Sequence, residues 1–366
     1  MSRGWRAPGP WMVCLALFAA SLLAGCAAVG PPRVERDRIE YNASITESWK
    51  RQILLNIVKI RYVEPVFFMD VGEIVAGYTL ETGGSVSGSR SWFDLSADSD
   101  ATTLGLDAYG KYTDRPTVTY RPMTGHAFLK GVMSPLPVGN LLMAMQAGVS
   151  ATFLCKLGVR AINGRRNEVF TAEEYRPASR EFLRAADILG RLQAAGALHV
   201  TSRKPEGGGP PPVYLTLAPH TPQEDALAAE LRDVLGLDPG TDDYRVCNSS
   251  LPGEGDTLSL QTNSLMVMLA AVAQRVEVPE DDLRRGRATP GSRPTGMADV
   301  SEMVRVRSSA AEPQDPFVAV RYRDNWFWVD DADLPTKRVF TFIMLAFTLL
   351  ESGRGDNPLQ VTIPAQ

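Results

Sequence analysis

Between residues 44 and 121 the apolar residues change period, and that change limits what the chain can fold into. Ser44 and Glu47 stand three apart, as an N-terminal capping pair does. Trp49, Ile53, Leu54, Ile57 and Ile60 then share one face at helical spacing, while Lys50, Arg51 and Lys59 fall elsewhere. This predicts an amphipathic helix that ends near Arg61-Tyr62 and is closed by Pro65. Beyond it, Val66 to Val71 reads as a short apolar strand. Ile74, Ala76, Tyr78 and Leu80 alternate with Val75, Gly77, Thr79 and Glu81, and Leu104, Leu106 and Ala108 alternate with Thr103, Gly105, Asp107 and Tyr109. A period of two is the strand signal. With Thr117-Val118-Thr119-Tyr120 after Pro116, residues 72–121 are expected to form two or three antiparallel strands around an irregular tip at 91–102. Two readings of this hairpin stay open. A half-exposed sheet on a soluble domain accounts for the alternation. So does insertion of residues 74–120 into a membrane, since a spanning strand needs only about 9–11 residues and Trp92, Phe93, Tyr109 and Tyr112 supply interfacial aromatics. Open edges cannot sit in lipid, so the second reading requires a barrel built from many copies.

The second half repeats strands and helices. Residues 177–195 carry Phe182, Leu183, Ala186, Leu189 and Leu192 on one helical face, with Gly196 as C-cap. Strands are expected at 198–202 and 213–217. Thr221-Pro222, with Glu224 following, opens a helix to about Leu235. Further strands are read at 244–247, 257–261, 317–322, 326–329 and 359–363, with apolar helices at 264–274 and 339–350. The fold class is α+β: an N-terminal amphipathic helix and antiparallel hairpin region, then repeated strand-pair and helix units. The division expected is a leader at 1–25, a tether at 26–40, a helix-plus-hairpin region at 41–170 and an α+β domain at 171–366. Mobile loops are expected near 204–212 and 279–300, where Gly, Pro and charge concentrate.

The leader opens with Arg3 and Arg6, runs apolar from Trp11 to Leu23, and closes on Leu23-Ala24-Gly25-Cys26. The apolar run is too short and too early for a spanning helix, which needs roughly 20 residues, and its three parts are those of an export signal. Leu-Ala-Gly-Cys resembles the lipobox of bacterial lipoproteins. The resemblance implies a thiol-lipidated Cys26 as first mature residue, and Ala27, not Asp, after it implies sorting to the outer membrane. Each buried acyl CH₂ adds about 0.8 kcal/mol of anchoring. The formal net charge of −4 includes no basic stretch of the kind nucleic-acid proteins show, so no nucleic-acid partner is expected.

A second resemblance runs along the chain. Trp49 with Gln52 to Tyr62, Arg115 to Tyr120, Ala161 to Asn167 and Val329 to Asp333 followed by Lys337 to Phe340 resemble a group of uncharacterised Gram-negative outer-membrane lipoproteins. It implies compartment and chain unity, and carries no active site over.

Candidate chemistry is sparse. His126, His199 and His220 have no metal-ligand spacing, and no Cys-x-x-Cys, His-Glu-x-x-His or Gly-x-Ser-x-Gly is present, so neither a metal nor a cofactor is expected. Gly105 to Tyr112 nearly matches a phosphate-binding loop but alternates like a strand and has Tyr112 where Mg²⁺ chemistry needs Ser or Thr. In an oxidising compartment Cys155 and Cys247 could pair, worth roughly 4 kcal/mol in the chain-entropy picture; two separate buried thiols are the alternative. Asp330, Asp331 and Asp333 beside Trp326 and Trp328 form the densest acidic and aromatic group, readable as a cation or sugar site or as a hairpin end and acidic helix start. Asp94, Asp98 and Asp100 lack calcium-loop spacing.

The expectation is an outer-membrane lipoprotein facing the periplasm. It acts as a non-enzymatic binding or assembly component, with envelope proteins or its own copies as partners. The alternatives are an oligomeric pore using residues 74–120 and a hydrolase with a cryptic site. Replacing the thiol tests the anchor directly: Cys26→Ser is expected to abolish incorporation of radiolabelled fatty acid, with wild type labelled in parallel.

Overall fold

The first helix, α1 (Pro31–Arg61), starts well before the capping pair that was expected to open it. A computed structural model describes residues 31–75, 77–90, 102–170, 175–203, 211–289, 291 and 303–351. In it α1 runs through much of the stretch expected to be a tether. Pro31 and Pro32 do not prevent this, because first-turn N–H groups have no partner within a helix and proline's fixed φ already suits it. Ser44 and Glu47 are thus interior, and Glu47 pairs with Lys50 (2.6 Å) and Arg51 (2.9 Å). The first half of α1 is largely exposed. In the second half Ile53, Leu54, Ile57 and Val58 have no exposed surface, each burial contributing about 1.5–3 kcal/mol.

Two compact units divide the chain: Met1–Val66 with Val132–Leu350, and Phe67–Gly131 with Glu351–Gln366. This is not the expected division at residue 170. The first unit holds a six-stranded mixed sheet in the order β6-β5-β12-β11-β10-β9. Its strands are β5 (Val159–Ile162), β6 (Arg165–Arg166), β9 (Leu198–Ser202), β10 (Val213–Leu217), β11 (Asp243–Cys247) and β12 (Thr257–Thr262). Antiparallel pairing of β5 with β12 carries the sheet across residue 170, which is why the chain does not part there. At the β5–β6 turn Asn163 and Gly164 have φ of 44° and 80°. Asn163 donates to the Leu235 carbonyl (2.7 Å) and accepts from the Gly253 N–H (2.6 Å), so one side chain ties three loops.

Helices α3 (Val138–Gln146), α4 (Ala151–Gly158), α5 (Arg180–Ala194) and α6 (Pro222–Leu235) accompany that sheet. Residues 150–162, ambiguous by period, resolve as helix α4 capped by Ser150 and then strand β5. Ser179 caps α5. Thr221 and Glu224 form the capping pair expected at α6, Thr221 accepting from the Glu224 N–H and Glu224 from the His220 N–H. Gln193 of α5 donates to the carbonyls of Met145 and Val149 and accepts from the Ala151 N–H (2.7 Å), fixing the α3–α4 link. Two residue pairs, β7 (Val169–Phe170) and β8 (Tyr175–Arg176), form a short ladder between β6 and α5.

A second sheet of the same unit has the order β13-β15-β14, from β13 (Arg307–Ser309), β14 (Pro316–Tyr322) and β15 (Asn325–Asp330), followed by α9 (Leu334–Glu351). The buried half of α1 lies against β14, β15 and α7 (Leu265–Ala273). Lys50 donates to the Phe317 carbonyl (2.9 Å), Trp49 meets Phe347 at 5.5 Å, and the Tyr62 ring meets Tyr322 at 5.1 Å and Phe327 at 6.1 Å.

The segment after α7 departs from expectation. Residues 279–289 were expected to be a mobile loop with 290–300, but they form α8 (Glu280–Arg284) and a tied turn, because their charges find buried partners. Asp282, 5% exposed, accepts from the Tyr62 hydroxyl (2.7 Å) and from Arg287 (3.2 Å). Arg61 donates to Gln274 (3.2 Å) and Thr289 (2.9 Å), and burial lowers its guanidinium to about 10. Residues 204–210, 290 and 292–302 and the strand expected at 359–363 lie outside the described residues.

The second unit contains β1 (Phe68–Val75), β2 (Tyr78–Arg90), β3 (Thr102–Asp114) and β4 (Thr117–Met123), leading into α2 (Gly125–Met133). β1 pairs with β4 and β2 with β3, all antiparallel. The Arg115 N–H donates to the Gly77 carbonyl (2.9 Å), carrying the pairing across the break between the ladders, so the four strands make one long two-stranded ribbon. At its base Phe68 opposes Met123, both buried, and Phe68 lies 6.3 Å from Phe128 of α2.

Burial raises the Asp282 carboxyl, but hydrogen bonds from Tyr62 and Arg287 outweigh it and hold the group below its usual range. A carboxyl depressed in the folded state stabilises above its unfolded pKa and loses that contribution as pH falls. Asp282→Asn is therefore expected to cost about 1–3 kcal/mol near neutral pH. Urea midpoints of wild type and variant should converge below about pH 4.

Candidate functional site

Strands β2 and β3 pair over thirteen residues each, from Tyr78 opposite Asp114 to Arg90 opposite Thr102. At about 3.3 Å per residue this part of the ribbon is about 43 Å long. Tilted at about 40° it covers about 33 Å, close to the roughly 30 Å of a bilayer's hydrocarbon core.

Its register sorts the residues onto two faces. One carries Leu80 opposite Tyr112, Thr82 opposite Gly110, Gly84 opposite Ala108, Val86 opposite Leu106 and Gly88 opposite Leu104. The other carries Glu81 opposite Lys111, Gly83 opposite Tyr109, Ser85 opposite Asp107, Ser87 opposite Gly105 and Ser89 opposite Thr103. Between the Leu80–Tyr112 and Gly88–Leu104 pairs the first face has no charged residue; Asp114 and Arg90, in the two terminal pairs of the same face, flank this stretch. On the second, Lys111 stands 3.9 Å from Glu81. The Tyr109 ring covers Gly83 so closely that a Cβ there would lie 2.4 Å from it. This is the aromatic cover that a glycine in a strand needs, since glycine brings no side chain of its own to the sheet.

The edges are as informative as the faces. The β2–β3 sheet has only these two strands among the described residues, so each presents one row of unpaired backbone N–H and C=O groups. Exposed edges are normally blunted by charge, proline or shortness. Here Thr82 to Ser89 and Thr102 to Leu106 contain neither charge nor proline. Strand β2 is rich in Gly and Ser, which favour strands weakly, and an isolated two-stranded hairpin is marginal in water. Length, faces and edges together suit a ribbon that completes its pairing on something else.

The acidic and aromatic residues near the C-terminus are spent differently. The structure gathers Trp326, Trp328, Asp330, Asp331 and Asp333 at the β15–α9 junction, but their carboxylates hold the fold. Asp330 accepts from the Ala332 N–H (3.0 Å) and stands 3.8 Å from Arg307, whose guanidinium lies over the Trp328 ring at 5.1 Å. Asp331 pairs with Lys337 (2.7 Å). Asp333 accepts from the Thr336 N–H (3.1 Å) and hydroxyl (2.7 Å), the bonds of a helix N-cap on α9.

The two readings left open for the cysteines are also told apart. Cys155 and Cys247 are both free thiols. Cys155 is buried on α4, where desolvation pushes its thiol up to about 12. Cys247 ends β11, and the sheet order places β12 between that strand and β5, which continues from α4. His126, His199 and His220 are exposed, and no group of metal-ligating residues occurs among the described residues. The segment resembling a phosphate loop lies inside β3 and opens no helix. Cys26, Trp92, Phe93, Asp94, Asp98 and Asp100 lie outside the described residues.

Comparison with known proteins returns no match: no family model, no curated protein and no solved structure is similar to this chain. The ribbon's geometry therefore has to carry the functional reading. Sequence alternation marked Tyr109 and Tyr112 as strand aromatics. It did not identify Gly83 as the partner of Tyr109, because cross-strand pairing depends on register, and register is not a property of either strand alone.

Cross-strand pairs contribute roughly 0.2–1 kcal/mol, so Tyr109→Ala is expected to raise amide hydrogen exchange around Gly83 by up to about fivefold. Exchange in α5 and α7 should stay unchanged.

Proposed function

We propose that this chain is an outer-membrane lipoprotein, anchored through Cys26, that acts by assembly, not catalysis, and that its ribbon is the assembling element. In this reading β2 of one copy pairs with β3 of the next until the ring closes. Leu80, Val86, Leu104, Leu106 and Tyr112 then face lipid, while Glu81, Ser85, Asp107 and Lys111 face the lumen. The observation that carries it is the thirteen-residue pairing whose one face is uncharged from Leu80 to Gly88 and bounded by Asp114 and Arg90, whose other face is polar, and whose two edges are open.

The physical argument is one of satisfaction. A strand can enter hydrocarbon only if every backbone group is paired, and a closed barrel is the sheet that achieves this. Head-to-tail contacts between identical copies close into rings when the rotation permits. Alternating lipid-facing and lumen-facing residues, about ten per strand, are the pattern of such walls. None of the described helices is long and apolar enough to cross a membrane, so the chain's described apolar helices do not offer a spanning element in place of the ribbon. The lipobox supports the same compartment, and lipidation would bring each copy to the surface into which the ribbons insert.

Cysteine scanning of the full chain in native envelopes tests the reading. Ser85→Cys and Ser87→Cys are expected to react with a water-soluble maleimide, while Val86→Cys and Leu106→Cys are protected. Extraction in mild detergent is expected to give a ring of several copies, lost when residues 78–114 are replaced by a short turn. A monodisperse monomer with uniform labelling and a protease-sensitive ribbon would overturn the proposal.

A further inference from the structure

In the first unit, a groove of about 760 Å³ runs between α4 and the N-terminal half of α9. Its size falls within the usual range for small-molecule sites, roughly 300–1,000 Å³. Phe153 and Phe342 meet edge to face at 5.6 Å in its wall, and Leu334 and Leu345 stand on its rim, 58% and 46% exposed. Four of its polar side chains already have partners. Ser150 accepts from the Phe153 N–H at the N-cap of α4, Thr152 donates to the Ala186 carbonyl (3.0 Å), Thr341 donates to the Lys337 carbonyl (2.9 Å), and Lys337 pairs with Asp331 (2.7 Å).

Two cations remain. Lys156 and Arg338 line the groove, and among the described residues neither has an ion-pair partner and no carboxylate lines the groove. Arg338 stands on the second turn of α9. Lys337 beside it is neutralised by Asp331; Arg338 is not. Aliphatic and aromatic walls with two unneutralised cations match a ligand that is apolar along its length and anionic at its head.

We infer that this groove binds the acyl chain of an anionic amphiphile, with Phe153, Phe342 and Leu345 against the chain and Lys156 and Arg338 on the head group. A free fatty acid and an anionic phospholipid share this chemistry. The inference is independent of the ribbon's role, since every lining residue belongs to the first unit.

Photocrosslinking on the full chain in nonionic detergent tests it. The probes are a diazirine fatty acid, the diazirine-bearing neutral monoacylglycerol of the same chain length, and a diazirine phosphatidylglycerol, each supplied in the same micelles. Labelling by the fatty acid or the phosphatidylglycerol is expected on the peptides carrying Phe153 and Phe342, and which of the two labels identifies the source. Charge-assisted contacts to the head group make the Lys156→Glu/Arg338→Glu double variant at least about tenfold weaker for the anionic probes. The monoacylglycerol should label that variant and wild type alike, which separates lost charge from lost fold. Leu345→Asp, a change at an exposed position, should weaken all three probes. Labelling that falls elsewhere, or that is indifferent to the charge reversal, would overturn the inference.

Discussion

The buried end of α1 is the constraint on which the first unit depends. Within two turns it commits Ile53, Leu54, Ile57 and Val58 to complete burial, then places Arg61 and Tyr62, nearly as buried, at the helix end. A buried guanidinium or phenol is costly without partners. Their partners come from far along the chain: Gln274 and Thr289 for Arg61, Asp282 for Tyr62. Helix α1 thereby fixes the segment after α7, while its other side meets β14, β15 and Phe347 of α9. The apolar face supplies the energy of burial, and the polar end adds specificity, since the Arg61 Nη1 and the Tyr62 hydroxyl take partners more than two hundred residues away in sequence.

The second unit follows the opposite logic. Its base is closed by Phe68, Met123 and Phe128, but above Gly77 the ribbon has two strands, two open edges and a glycine- and serine-rich β2. A sheet in water normally defends such edges. One that leaves them bare from Thr82 to Ser89 and from Thr102 to Leu106 is what the proposed pairing between copies requires. The first unit builds sheets of six and three strands where the ribbon has two, and the proposed assembly rests on that contrast.

Much of this was legible from local pattern. The helices α5, α6 and α7 and strands β9, β10, β14 and β15 fall where apolar spacing, caps such as Thr221-Pro222 and Gly196, and turn residues place them. These signals involve neighbours within a few residues, so no tertiary information is needed. The errors have a common cause. Ser44 and Glu47 have the spacing of a helix start, but two prolines further back are compatible with a first turn, so the local cue did not decide the boundary. The charged stretch at 279–289 reads as solvated because sequence cannot show that Asp282 meets Tyr62. The acidic group at 330–333 reads equally as a site or as a cap, and the bonds to Thr336 and Lys337 show its carboxylates holding the start of α9.

By itself the sequence determined the α+β class, the period change that places strands at residues 78–90 and 102–114, and the polarity alternation of the ribbon, because each follows from side-chain spacing along a regular backbone. Only the tertiary structure decided the register that sets Gly83 beneath Tyr109, the joining of β5 to β12 that moves the unit boundary, the freedom of Cys155 and Cys247, and the groove between α4 and α9. Each of those depends on residues distant in sequence meeting in space, and pairing energies of that kind are not written in any local pattern.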